Sequence, residues 1–277
     1  MTTQLLIIGG GYSGAAVARA ALAAGWDVAS TTRGVPGAGQ ISFAAAGAAL
    51  ARTTHLLMTA PPGESGDPFL AAHGGALPGG LIWAGYLSTT GVYGDRDGGW
   101  VDEATPPAPG QPRSLRRLEA ELAWRVAAAV GGFALDIFRV AGIYGPGRSA
   151  FDDLRAGHAR RTQKPGHAFG RIHVEDIAGA VLAAMGRPPQ GARVLNLTDD
   201  EAAESAAVVA HAAALLGVAP PPLRDYAEAA ASMSEMARSF WAENRRVANA
   251  ATKAALGIGW RYPTYREGLA AILRSGG

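Results

Sequence analysis

A doubly wound, mostly parallel α/β sheet is the fold class this sequence predicts. Three observations carry it: a near-continuous apolar run from Gln4 to Ile8 that meets glycines at once, a segment of good helix formers from Gly14 to Ala24, and a later alternation of short apolar strands with helical stretches. An unbroken apolar run suits a strand buried on both faces, as parallel strands are. The helical segment stops at Gly25, the residue type that best closes a helix. Trp26 to Thr31 then reads as a second strand, completing a strand-turn-helix-strand unit.

Further strands are expected at Gln40 to Phe43, His55 to Thr59, Leu81 to Ser88, Ala134 to Val140 and Val194 to Leu197, with helical segments between most of them. The stretch from Gly94 to Pro112 is too rich in proline and glycine for a long helix or a central strand, and reads as a surface loop beside the end of the preceding strand. After Thr198 the chain turns helical: Glu201 to Leu216, closed by Gly217, then Asp225 to Phe240 and Asn244 to Leu256. With no internal repeat and no low-complexity linker, a second domain would pack closely on the first.

At 277 residues the chain suits one large α/β domain, or one domain with a smaller companion. It has no cysteine, which excludes disulfides, thiolate nucleophiles and Cys-based metal sites. The formal charge of +2 comes with scattered arginines and only two lysines, Lys164 and Lys253, so no basic block marks a nucleic-acid face. Arg, Asp, Gly or Pro interrupts every apolar stretch before the roughly 18 residues a membrane span needs. The N-terminal apolar run lacks a preceding basic region and a cleavage site, so it reads as a strand rather than a leader. A cytoplasmic protein is expected.

Gly9, Gly11 and Gly14 spell G-x-G-x-x-G between the first strand and helix. In that context the first glycine allows a tight turn, the second lets a pyrophosphate approach the backbone, and the third lets helix and strand pack closely. The phosphates would rest on the free N–H groups at the helix start, with Tyr12 and Ser13 beside them. These features predict a dinucleotide-binding Rossmann fold. NAD and FAD sites carry an acid at the end of the second strand for the ribose hydroxyls. Here that end reads Ser30, Thr31, Thr32, Arg33, which favours NADP(H) over NAD(H): nothing repels a 2′-phosphate, and hydroxyls and a guanidinium can hold it. Arg33 as a solvated residue, or one stacked on adenine, is the alternative.

The segments IIGGGYSG, LSTTGVYGD with WVDEATP, FRVAGIYGPGR, RIHVEDIAGAV and LGIGWRYPTYREGL resemble, in order and over nearly the whole chain, the extended and atypical short-chain dehydrogenases/reductases, the NAD(P)-dependent epimerase/dehydratase-like proteins. The resemblance places Thr89 at the family's catalytic Ser or Thr, Tyr93 and Tyr144 close to the substrate cleft, and the Ala60-Pro61-Pro62 turn beside the cofactor. Thr89 as a strand-end residue bonded to backbone, and the two tyrosines as packing aromatics, are the competing readings. His173 and Asp176 read as structural, Asp176 capping or anchoring a helix.

One departure stands out. The family's proton relay is Tyr-x-x-x-Lys, and counting back from the helix residue Glu121 puts Arg113 at the Tyr position and Arg117 at the Lys position. Neither lysine has a Tyr four residues earlier, since Arg160 and Asn249 stand there. A guanidinium orients a substrate but is no proton donor near neutral pH.

The expectation is therefore a cofactor domain over residues 1–199 and a smaller helical cap over 200–277, with residues 148–169 a further candidate part of the cap. The protein reads as an atypical NADP(H)-binding oxidoreductase or epimerase with an unidentified small-molecule substrate. A non-catalytic NADP(H)-binding redox sensor or assembly protein is the alternative, and a flavoenzyme is disfavoured by the missing acid. No metal, nucleic-acid or membrane partner is expected; monomer and homodimer both stay open.

Overall fold

The computed structural model describes residues 4–74 and 77–276. Its strands in chain order are β1 (Gln4–Ile8), β2 (Asp27–Thr32), β3 (Gln40–Ser42), β4 (His55–Met58), β5 (Trp83–Thr89), β6 (Trp100–Val101), β7 (Ala134–Val140), β8 (Gly142–Tyr144), β9 (Arg161–Gln163), β10 (Arg171–His173), β11 (Ala192–Leu197), β12 (Leu223–Asp225) and β13 (Arg246–Val247). The helices are α1 (Tyr12–Ala23), α2 (Ala46–Leu50), α3 (Pro68–His73), α4 (Pro112–Gly131), α5 (Ala150–Arg155), α6 (Val174–Met185), α7 (Ser205–Leu216), α8 (Tyr226–Ala230), α9 (Glu235–Trp241), α10 (Ala250–Leu256) and α11 (Tyr265–Arg274).

Seven strands form one sheet in the order β11-β7-β5-β4-β1-β2-β3, every pair parallel. The period of two along a strand explains why β1 is apolar throughout. Leu5 and Ile7 face a core shared with α1 and α6, through Val17, Ile177 and Val181, while Leu6 and Ile8 face one shared with α2, α3 and α4, through Leu50, Phe69 and Trp124. This is the doubly wound Rossmann architecture that the sequence predicts. Two-stranded parallel pairs β8/β10, β9/β12 and β6/β13 lie outside the sheet and tie the later chain to it.

The C-terminal region divides between two cores. Leu256 and Trp260 join the α1/α6 side of the sheet, whereas Tyr265, Leu269 and Ile272 pack with Tyr144, Phe151 and Ala212 in a separate cluster. The tail from Trp260 onward is thus bound to the body, as its aromatic content requires. Its anchor is Asp176, whose carboxylate accepts from the backbone N–H of Arg261 at 2.7 Å and of Tyr262 at 3.1 Å. His173, at the N-cap of α6, accepts the Glu175 N–H on its own ring nitrogen at 3.2 Å.

Several expected boundaries move. Helix α1 starts at Tyr12, not Gly14, because Gly11 already serves as the N-cap. The expected helix Asp225–Phe240 is two: α8 ends before Ser232, whose hydroxyl bonds back to Ala229, and Ser234 caps α9 by accepting from Ala237 N–H. Residues Asn244–Leu256 begin instead as β13, which pairs with β6 inside the proline-rich loop, and only Ala250 onward is helical. Glu201–Glu204 stay outside α7, since Ala203 bridges to Phe169.

Candidate functional site

The glycine turn is built from both neighbouring strands. Gly9 has φ +106°, and a side chain there would meet Thr59 Oγ1 at 2.6 Å. Gly14 faces inward: a Cβ would lie 2.1 Å from the Gly9 carbonyl oxygen, the close helix–strand approach expected of the third glycine. Gly11 has nothing within 4 Å of a built Cβ, so open space lies where a pyrophosphate would approach. The turn is clamped by Thr31, whose hydroxyl accepts from Gly9 N–H at 2.9 Å, and by Thr59, whose hydroxyl donates to the Gly9 carbonyl at 2.5 Å. Thr59 was not among the residues the sequence picked out.

Tyr12 is half-buried; its hydroxyl donates to the Pro146 carbonyl at 3.0 Å and Arg148 sits over its ring, so it braces α1 against the Gly145–Gly147 turn. Ser13 is half-buried in the first turn of α1. At the end of β2, Thr31 is buried, Thr32 accepts from Gly34 N–H at 3.1 Å, and Arg33 is exposed. Ala60 and Pro61 follow β4 directly, with Ala60 N–H bonded to the Ile8 carbonyl.

Beyond the strand ends opens a cleft of about 800 Å³. It gathers Pro61, Thr89, Arg113, Arg117 and Tyr144, and adds residues from the later chain: Phe169, Arg171, Trp241, Glu243 and Arg245. Thr89 Oγ1 accepts from Gly91 N–H at 3.1 Å, which leaves its own proton to donate. On α4, the spacing of four puts Arg113 and Arg117 on one face, with Glu121 a further turn along. Arg117 donates to the Leu87 carbonyl, and the guanidinium of Arg113 lies 3.9 Å from the Phe240 ring centroid. Burial lowers the Arg113 pKa, partly opposed by Glu243.

Behind the cleft Glu121 binds Arg139 through both oxygens, at 2.8 and 3.2 Å, and accepts from Ser88 at 2.5 Å. Tyr93, expected near the substrate, belongs to this buried layer instead: it is fully buried, lies under Arg139, and donates to Asn196 Oδ1 at 2.8 Å. Its sequence position beside Thr89 concealed that the intervening 3₁₀ turn rotates its ring inward. Tyr144 does line the cleft, but its hydroxyl points to the Thr264 carbonyl at 3.3 Å, and burial raises its pKa.

Among the described residues six arginines and a single glutamate line the cleft, with no lysine or histidine. Lys164 bonds the Trp241 carbonyl at 2.7 Å and Lys253 pairs with Asp200 at 2.5 Å. Asp199, at the end of β11, has both carboxylate oxygens buried without a hydrogen-bond partner, and burial pushes its pKa up to about 8 against the pull of Arg171. Among the described residues no cluster of His, Asp or Glu is arranged to hold a metal ion, and no helix is long and apolar enough to cross a membrane.

This fold and site define the class at the level of fold: the solved structures that the chain resembles are NAD(P)-dependent epimerase/dehydratase-like proteins of the extended short-chain dehydrogenase/reductase kind. A functionally unknown conserved protein from Silicibacter pomeroyi DSS is 42% identical, with 99% of each chain covered and a TM-score of 0.91. The human epimerase family protein SDR39U1, solved with NADPH, has the same fold at 20% identity, covering 98% of this chain and 99% of that one with a TM-score of 0.82. Among curated proteins, YeeZ of Escherichia coli K12 is 32% identical over 143 residues, 50% of this chain and 48% of that one. A 3-diazoavenalumate denitrifying reductase from Streptomyces sp. is 30% identical over 181 residues, 61% and 58% of the two chains. The chain thus spans about half the length of the curated relatives it matches. No protein-family model matches it.

Proposed function

We propose that the protein is an atypical NADP(H)-dependent oxidoreductase or epimerase acting on a small molecule in the arginine-lined cleft. The observation that carries this is the meeting of Pro61, Thr89, Arg113 and Arg117 around one cavity that follows directly from the glycine-turn strands. The human structure with NADPH and the Streptomyces reductase support it by analogy.

The residues fit the cofactor. Open space at Gly11 and the free N–H groups of α1 suit a pyrophosphate, with Gly9 and Gly14 shaping the turn and Ser13 beside it. Thr32 and Arg33 suit a 2′-phosphate, with Thr31 holding the turn in place, and Ala60 and Pro61 flank the nicotinamide side. When bound, NADP(H) supplies or accepts a hydride. Thr89 donates its free hydroxyl proton in a hydrogen bond to a substrate oxygen, and Arg113 and Arg117 orient the substrate. A proton consumed in the reaction comes from water or from another group.

The alternative, a non-catalytic NADP(H) sensor, draws support from the cleft phenol of Tyr144 being turned to a backbone carbonyl. Fluorescence titration with NADPH and NADH comes first: tighter NADPH binding is expected, and equal affinities would refute the preference. Turnover is then assayed across nucleotide-sugars and small carbonyl compounds. Generic aldehydes should be reduced negligibly, and activity on a true substrate should survive Arg113→Ala better than Thr89→Ala. NADPH binding without turnover on any substrate favours the sensor.

A further inference from the structure

We infer that the ligand of the cleft is a planar organic anion, an aromatic or conjugated carboxylate, with its carboxylate on Arg113 and its ring in the corner between Phe169 and Trp241. This rests on the reading of the cleft as a substrate site. Two features, one of charge and one of shape, support it independently.

The charge is unbalanced. Of the six cleft arginines only Arg245 has a carboxylate partner among the described residues, Glu243 at 2.8 Å. Among the described residues the Arg113 guanidinium has no ion pair and no hydrogen bond; one of its faces is spent on Phe240, which leaves the N–H edge for a ligand. A half-buried guanidinium has lost part of its hydration, and a planar carboxylate restores it with paired, charge-assisted hydrogen bonds. Arg171, at the inner end, donates to the carbonyls of Phe169 and Ala203 and likewise lacks, among the described residues, an acid within 4 Å. The cavity therefore attracts anions along its length.

The shape is flat. Phe169 and Trp241 meet edge to face, centroids 5.0 Å apart and planes at 88°, and both line the cleft. His167, which does not line the cleft, packs against both rings from behind, its centroid 4.7 and 5.4 Å from theirs, so a flat ring entering from the cleft lies on half-buried Phe169 and meets Trp241, 9% exposed, with its edge, both favoured aromatic geometries. A saturated ring of equal size is too thick to do both. Phe240, at the mouth, is 53% exposed, an aromatic surface that a bound ring would shield.

The test uses isothermal calorimetry on the full chain preloaded with NADP⁺. The probes are 2-naphthoate, the uncharged 2-naphthalenemethanol, the saturated decalin-2-carboxylate, and UDP-glucose. 2-Naphthoate should bind at least ten-fold tighter than the other three. Arg113→Gln should weaken 2-naphthoate ten-fold or more and leave 2-naphthalenemethanol unchanged, and Phe169→Leu should weaken 2-naphthoate but not decalin-2-carboxylate. Equal binding of the saturated acid, tighter binding of UDP-glucose, or no binding of 2-naphthoate overturns the inference. NADP⁺ affinity is measured first: its absence counts against the cofactor assignment alone, and the same ranking of probes is then required of the cofactor-free protein.

Discussion

Replacing Glu121 with leucine removes the carboxylate that neutralises Arg139 in the wall behind Thr89. Both side chains are almost wholly buried, 1% and 4% exposed, and the carboxylate also holds Ser88. The variant strands a guanidinium in an apolar layer, which costs about 3–5 kcal/mol when one partner of a buried pair is lost. Unfolding entropy of about 2.1 cal/mol/K per residue, taken over this chain length, turns that into a Tm about 5–9 °C lower. The double variant Glu121→Leu/Arg139→Met removes the stranded charge and should recover most of the loss, apart from about 1 kcal/mol for the Ser88 hydroxyl left without its acceptor. Urea denaturation of wild type, both singles and the double gives the coupling energy directly. A Glu121→Leu variant within 0.5 kcal/mol of wild type (about the scatter of an ordinary surface substitution), or a double variant as unstable as the sum of the singles, would refute the reasoning.

Gly14→Ala should abolish NADPH binding and lower Tm, because its Cβ meets the Gly9 carbonyl oxygen; unchanged titration would show that the turn tolerates displacement. Asp199 has a folded pKa of about 8, above its unfolded value, so its contribution is present in acid and lost as pH rises toward 8. Asp199→Asn should therefore be stabilising at pH 8.5 and much less so at pH 5, by thermal melts at both. His167 has the opposite sign: burial lowers its pKa to about 4, so stability is full above pH 6.5 and falls on acidification toward 4. His167→Phe should flatten that slope in the same melts. Removing residues 260–277 should destroy cooperative unfolding, since Tyr265, Leu269 and Ile272 are 1% exposed; a sharp transition in the truncated chain would contradict it.

The three glycines of the first turn illustrate what local sequence settles. A tight turn between an apolar strand and a helix leaves few residue types able to occupy it, so the spacing of Gly9, Gly11 and Gly14 is readable without knowing what surrounds it. The same holds for β1, whose unbroken apolar run requires cover on both faces and so implies helices on each side. Asp176 was legible as a structural residue, but what it holds was not: His173 caps α6, and the Asp176 carboxylate grips the tail backbone instead.

The cleft was legible only in half. Pro61, Thr89, Arg113, Arg117 and Tyr144 follow strand ends or a helix face, positions that the pattern of elements fixes. Phe169, Trp241, Glu243 and Arg245 reach the same space from far along the chain, by way of the β13/β6 pairing inside a loop that composition marks only as irregular. Tyr93 failed in the other direction: its motif placed it beside Thr89, and the packing of Arg139 and Asn196 drew it into the core. Periodicity and backbone sterics act over a few residues, so the sequence by itself determined the strands, the glycine turn and the doubly wound sheet. Which side chains converge, and whether a hydroxyl faces the cleft or a carbonyl, depends on contacts between residues tens to more than a hundred apart, and those only the tertiary packing decided.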